Sequence, residues 1–221
     1  MQYFTTDYTQ FFAELKENNN REWFLENKAR YENQVKKPFQ RFIQDLLNEM
    51  DKLDKGYACD AKSMIFRIYR DVRFSKDKTP YKTHSSAALS KYGKKSMEMP
   101  SYYFEISNTD INLYGGMYMP DKDRLNKIRV YIADNLSDFQ SLYNDSNFTA
   151  HFGKILGDKN KKVPIDFKEI AEKEELIANK QFYFVSNINY DFLTKENLME
   201  QVLKTLTASL EITAFFEEAC N

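Results

Sequence analysis

Between residues 65 and 84 the chain reads Ile-Phe-Arg-Ile-Tyr-Arg-Asp-Val-Arg-Phe-Ser-Lys-Asp-Lys-Thr-Pro-Tyr-Lys-Thr-His. Six basic residues (Arg67, Arg70, Arg73, Lys76, Lys78, Lys82) stand there against two acids, Asp71 and Asp77, on a chain whose net charge is −1. Such a local excess suits an anion. Arginine offers a planar fork to phosphate or carboxylate oxygens, and lysine a mobile point charge. Tyr69 and Tyr81 supply aromatic faces on which a ring could stack. His84 is the one local group that titrates near neutrality, which makes it the candidate general base. It stands next to Ser85 and Ser86, but an adjacent Ser and His do not face each other productively in a strand.

The alternation of Phe66, Ile68, Val72 and Phe74 with polar neighbours predicts a strand over residues 65–74. A period of two puts Arg67, Tyr69, Asp71 and Arg73 on one face. Arg70 falls on the apolar face and needs a partner there, because an unpaired buried charge is too costly. Glu105 is the candidate for that structural ion pair. After the turn Ser75–Lys78, the extended Thr79-Pro80 sends Tyr81, Lys82 and His84 away from the turn, and the loop can fold its lysines back over the arginine face. The ligand-binding candidates are Arg67, Tyr69, Asp71, Arg73, Lys76, Lys78, Tyr81 and Lys82.

A strand bearing Arg and Asp also suits an internal ion-pair lattice that fixes register. Three readings follow. The segment binds, or binds and turns over, a phosphorylated or other anionic small molecule. Alternatively it is a nucleic-acid-binding module in which tyrosines stack on bases, or it is part of a structural or interaction protein.

Stepping outward, the first fifty residues predict helices. Phe11, Phe12 and Leu15 share one face of a helix ending at Asn18-Asn19-Asn20, and Asn19 with Glu22 resembles a capping box. Trp23, Phe24, Asn27 and Tyr31 follow at turn spacing. Pro38 marks a kink or fresh start before Phe39, Phe42, Ile43, Leu46 and Leu47. Residues 102–107 and 111–119 read as a hairpin across Asn108-Thr109-Asp110, and Gly115-Gly116 as a bulge or a place of close approach. Asp121 caps a helix with inner residues Leu125, Ile128, Ile132 and Leu136, and a further helical piece carries Phe139, Leu142 and Tyr143. Residues 157–162 read as a solvated loop, 167–178 as helix, 181–186 as a strand and 198–216 as one long closing helix. The expected fold is α+β: an antiparallel sheet core with N-terminal and C-terminal helices packed on it, in a single domain spanning 1–221.

Composition narrows the setting. With 18 Phe and 15 Tyr the chain has ample material for a core, and disorder is excluded. No stretch approaches the roughly 20 apolar residues of a membrane span, and the start lacks a secretory leader. Two cysteines, Cys59 and Cys220, make no disulfide framework, so a cytoplasmic location is expected, with no membrane partner. Two histidines without a close Cys pair argue against a zinc site, and no metal or cofactor is implied. Asp71 with Asp77 does not single out magnesium, since any two acids near a phosphate would qualify. The near-neutral net charge argues against a general nucleic-acid coat and leaves room for a local patch.

At these residues the chain resembles an uncharacterised family of bacterial proteins of about this length, found also as a region within longer fungal proteins. The run from Arg67 to Tyr81 follows its RxxRDxRFxxxKxxY signature at Arg67, Arg70, Asp71, Arg73, Phe74, Lys78 and Tyr81. The segment 19–24 (Asn-Asn-Arg-Glu-Trp-Phe), with Asn27, Lys28 and Tyr31, and the segment 115–120 (Gly-Gly-Met-Tyr-Met-Pro) also resemble it. The resemblance implies a single-domain member of that family and supplies no reaction, cofactor or partner.

Overall fold

Apolar spacing explains the first helix. In α1 (Thr6–Glu17) the buried residues are Tyr8, Phe11, Phe12 and Leu15, one stripe of a 3.6-residue period. After α2 (Arg21–Glu26) and the single turn α3 (Lys28–Arg30), residues Tyr31–Lys36 form a widened π turn. It runs into α4 (Lys37–Leu53), whose first turn contains Pro38. Pro38 thus falls at the fresh helix start that was one of its two expected outcomes. The short α5 (Ala61–Met64) leads into β1 (Ser85–Leu89), β2 (Ser101–Ile106) and β3 (Ile111–Met117). Next come α6 (Lys122–Asp134), α7 (Leu136–Asn144), α8 (Ser146–Phe152), α9 (Lys168–Ala171), β4 (Phe182–Ile188), α10 (Leu198–Thr207) and α11 (Leu210–Cys220). These elements come from a computed structural model that describes residues 1–221.

The strands form one four-stranded antiparallel sheet in the order β1-β2-β3-β4, and the fold is α+β. The chain contains two compact units: Met1–Lys94 with Tyr103–Leu113 and Asn187–Leu203, and Lys95–Tyr102 with Tyr114–Ser186 and Lys204–Asn221. In the first, α4 meets the sheet through Phe42, whose ring lies 5.4 Å from that of Phe104. Phe4, Tyr8, Phe11, Phe12, Phe42, Ile43, Leu46 and Phe104 are all fully buried there. Each such side chain contributes about 1.5–3 kcal/mol on leaving water. In the second, α11 reaches the sheet through Phe216 beside Phe182 at 5.7 Å, and Thr213 shares a buried 2.9 Å hydrogen bond with the Tyr102 hydroxyl. No helix is long and apolar enough to cross a membrane.

Several elements differ from the periodicity-based reading. The expected strand 65–74 is absent: only isolated bridges, Ile65 to Ala87 and Tyr69 to Tyr81, join this segment to its return arm. β1 arises instead from Ser85-Ser86-Ala87-Ala88-Leu89, small residues without polar alternation because Ser86 to Leu89 are all buried. The expected closing helix 198–216 is interrupted at Ala208-Ser209, where the Ser209 hydroxyl turns back to the Leu206 carbonyl. Asn135 likewise ends α6 before Leu136, which starts α7. Residues 167–178 are short helical turns, and the segment read as a loop from Gly157 carries the bridge Lys159 to Asn179.

Candidate functional site

The arginine motif lies between α5 and β1 as an irregular hairpin. Its arms are tied by amide bonds from Phe66 to the Ser86 carbonyl (2.9 Å), Lys82 to Ile68 (2.8 Å) and Arg70 to Pro80 (2.9 Å). A second segment anchors it. The Asn19 side chain donates to the Tyr81 carbonyl at 2.9 Å and accepts from the Tyr81 amide at 3.1 Å. The Phe24 ring stacks on the Tyr81 ring at 4.0 Å and 16°. Asn20, not Asn19, is the helix cap, taking the Trp23 amide. Asn19 is thereby released to hold the motif.

These anchors reassign one ligand candidate. Tyr81 is buried and serves as packing rather than as an accessible stacking face. Tyr69, its bridge partner, remains about half exposed, with its ring 5.4 Å from that of Tyr81.

At the tip the charges sort themselves locally. Arg70 donates to Asp77 at 2.5 Å and to the Thr79 carbonyl at 3.1 Å, and also meets the Thr79 hydroxyl. The expected Arg70–Glu105 pair is therefore replaced by one within the loop. With no strand formed, Arg70 is not carried onto a sheet face where Glu105 would be needed. Arg73 closes a two-pronged pair on Asp71, Nε to Oδ1 at 2.9 Å and Nη2 to Oδ2 at 2.6 Å. The Arg73 guanidinium holds the Asp71 carboxyl down to about 2. The Thr79 amide first, and then Arg70, lower that of Asp77. Lys78 donates to the Val72 carbonyl at 2.9 Å. Lys76 and Arg67 are exposed.

A basic cluster lies beside the arms. The Lys82 ammonium sits 5.1 Å from the centre of the Phe66 ring, and the Lys94 ammonium sits 5.6 Å from the same ring. Lys94 also donates to the Ile65 carbonyl at 2.9 Å. Burial lowers the Lys82 pKa first, and Arg67 and Lys94 push in the same direction while Glu105 opposes them. His84 Nε2 lies 3.8 Å from Glu105 Oε2, and the other Glu105 oxygen accepts from Asn112 at 3.1 Å. His84 borders a narrow cavity of about 20 Å³, room for little more than a water molecule, lined also by Tyr31, Lys36, Phe66 and Ser85. The hairpin thus brings Arg67, Lys82 and His84 together with Lys94, and directs Arg73, Lys76 and Lys78 to its tip. Lys94 was missed because nothing local ties it to the motif. The Lys91, Lys94 and Lys95 cluster was the available signal.

Burial, ahead of the opposing Glu105, lowers the His84 pKa, with Lys82 adding to the effect. The folded state therefore binds fewer protons than the unfolded chain below about pH 6.5. Stability from this group is full above that value and is lost as pH falls through the folded pKa. Urea titrations at pH 7.5 and 5.5 are expected to show a smaller pH difference for His84→Gln than for wild type. An equal difference would remove His84 as the source.

An α+β protein with a self-paired arginine loop and an adjoining cluster of cations is the class these features define. Its sequence matches the family described as conserved hypothetical protein, DUF2461, over residues 7–215, and the chain belongs to that family. No curated protein matches it.

Proposed function

We propose that the protein binds a phosphorylated or otherwise anionic small molecule at the cluster of Arg67, Lys82 and Lys94, with His84 at its edge. The carrying observation is the convergence of two lysine ammoniums on one phenylalanine ring, with Lys82 destabilised as a cation by burial, Arg67 and Lys94. An arriving anion would relieve that repulsion in a partly dry setting where charge-assisted bonds are strong. Arg73 contributes less on this reading, because Asp71 already occupies its fork. If the ligand is turned over, His84, favoured in its neutral form, is the group suited to accept a proton.

Calorimetry and thermal denaturation with inorganic phosphate, pyrophosphate and nucleoside monophosphates test the reading. The wild type is expected to be stabilised by at least one of them. Arg67→Ala and Lys82→Ala are each expected to bind about tenfold more weakly, the effect of losing one charge-assisted bond of about 1.4 kcal/mol. Arg73→Ala is expected to bind as the wild type does. An absence of binding by any of these anions, or unchanged affinity in Lys82→Ala, would defeat the proposal.

A further inference from the structure

Phe74 stands at the tip of the motif hairpin with 96% of its surface exposed. The apolar alternation of residues 66–74 assigned it to the buried face, so its position is a correction to that expectation. The exposure does not come from a slack loop. The tip is braced by the Arg70–Asp77 and Arg73–Asp71 pairs, by Lys78 on the Val72 carbonyl, and by the Ser75 amide on the same carbonyl. The aromatic ring thus projects from a loop closed by its own ion pairs and carbonyl bonds, with the Arg73 guanidinium 5.9 Å from its centre. The loop acids are engaged by Arg70 and Arg73, which leaves the exposed Lys76 and Lys78 as uncompensated positive charge in the same loop as the ring. Tyr69, the second open aromatic, is 51% exposed on the same hairpin.

We infer that this tip binds single-stranded nucleic acid, with a base stacked on Phe74 and phosphates met by Lys76 and Lys78. Isolated aromatic rings set among cations are what base stacking along a charged backbone requires. The two other occupants of such a surface fit less well. A protein partner would call for an apolar patch around the anchor to exclude water, and Phe74 is followed by Ser75 and Lys76. An anionic membrane would call for a larger apolar face than one ring. The inference is independent of the small-anion site, because Phe74 takes no part in the Lys82 and Lys94 cluster.

Fluorescence anisotropy with labelled oligo(dT) and oligo(U), at low salt and over a salt series, tests it. Wild-type protein is expected to bind, with log affinity falling linearly as log salt rises. Phe74→Ala is expected to bind about 5- to 150-fold more weakly, the equivalent of one lost base stack. Phe74→Trp is expected to retain binding, and Lys76→Ala with Lys78→Ala to flatten the salt slope. Circular dichroism melts of these surface variants are expected to overlay the wild type. Lack of oligonucleotide binding at low salt, or unchanged affinity in Phe74→Ala, overturns the inference. Phe74-dependent sedimentation with phosphatidylglycerol vesicles and no oligonucleotide binding would assign the tip to a lipid surface instead. Lys82→Ala separates the two proposals: it is expected to lose small-anion binding and to keep oligonucleotide binding.

Discussion

Phe24→Ala is expected to destabilise the protein by about 3–5 kcal/mol, the range for deleting a buried phenylalanine. Phe24 is 3% exposed, and its ring meets those of Phe11, Tyr31, Tyr69 and Tyr81. Truncation would leave a ring-sized void beneath the motif hairpin, lined by the rings of Phe11, Tyr31, Tyr69 and Tyr81. The loss should also reach the site, since the Tyr81 stack and the Asn19 bonds together fix the arm that carries Lys82. Urea denaturation is expected to show the full loss for Phe24→Ala and a small change for Phe24→Leu. A cost below about 1 kcal/mol for the alanine variant would mean that the stack does not hold the arm.

Gly116→Ala is expected to cost about 3 kcal/mol or more. Gly116 has φ of +99°, a conformation that L side chains rarely adopt, and its cost for a non-glycine residue is about 1–2 kcal/mol. An added Cβ would also overlap the Phe182 carbonyl oxygen and stand 3.2 Å from Tyr183 Cα. Both are backbone atoms of β4, so no rotamer change relieves them, and overpacking of this kind adds about 1–3 kcal/mol. In a chain of this length the sum corresponds to a melting temperature lower by about 6–12 °C. Gly115 differs in kind. Its Cβ would overlap Phe184 Cε2 and stand 2.8 Å from Phe184 Cζ and 2.9 Å from Tyr102 Cδ1, side-chain rather than backbone atoms, with no positive φ to add to the cost. Thermal melts are expected to rank Gly116→Ala as the more damaging of the two. The reverse order would mean that β4 yields more easily than the rings do.

The helices were legible where burial follows a single stripe. Tyr8, Phe11, Phe12 and Leu15, and again Phe39, Phe42, Ile43, Leu46 and Leu47, are read from spacing because one face meets the core. The β2–β3 hairpin was legible from its turn, where the Ser107 hydroxyl accepts the amides of Thr109 and Asp110. The motif misled for a physical reason. Its alternation mimicked a strand, but the Asp71 carboxylate accepts the Arg73 amide at 3.3 Å and the Asp77 carboxylate accepts the Thr79 amide at 2.9 Å. These bonds to an amide two residues on are turn chemistry that competes with a ladder. An aspartate two positions before the residue it bonds was the signal present in the sequence. Of the ligand candidates, Arg67 and Lys82 fall in the cluster, Tyr81 is packing, and Asp71 with Arg73 is a closed pair. β1 was illegible because a short strand of serine and alanine, buried on both sides, carries no alternation.

Asn19 and Tyr81 are separated by 62 positions, yet their backbone-to-side-chain bonds are reciprocal. A ribosome adding about 5–20 residues each second spends about 3–12 s between synthesising the first and synthesising the second. Throughout that interval the Phe24 ring lacks the aromatic neighbour that covers it in the finished protein. The nascent chain therefore carries a sticky aromatic surface for seconds, and translation speed across this stretch sets how long chaperones or neighbouring chains have access to it.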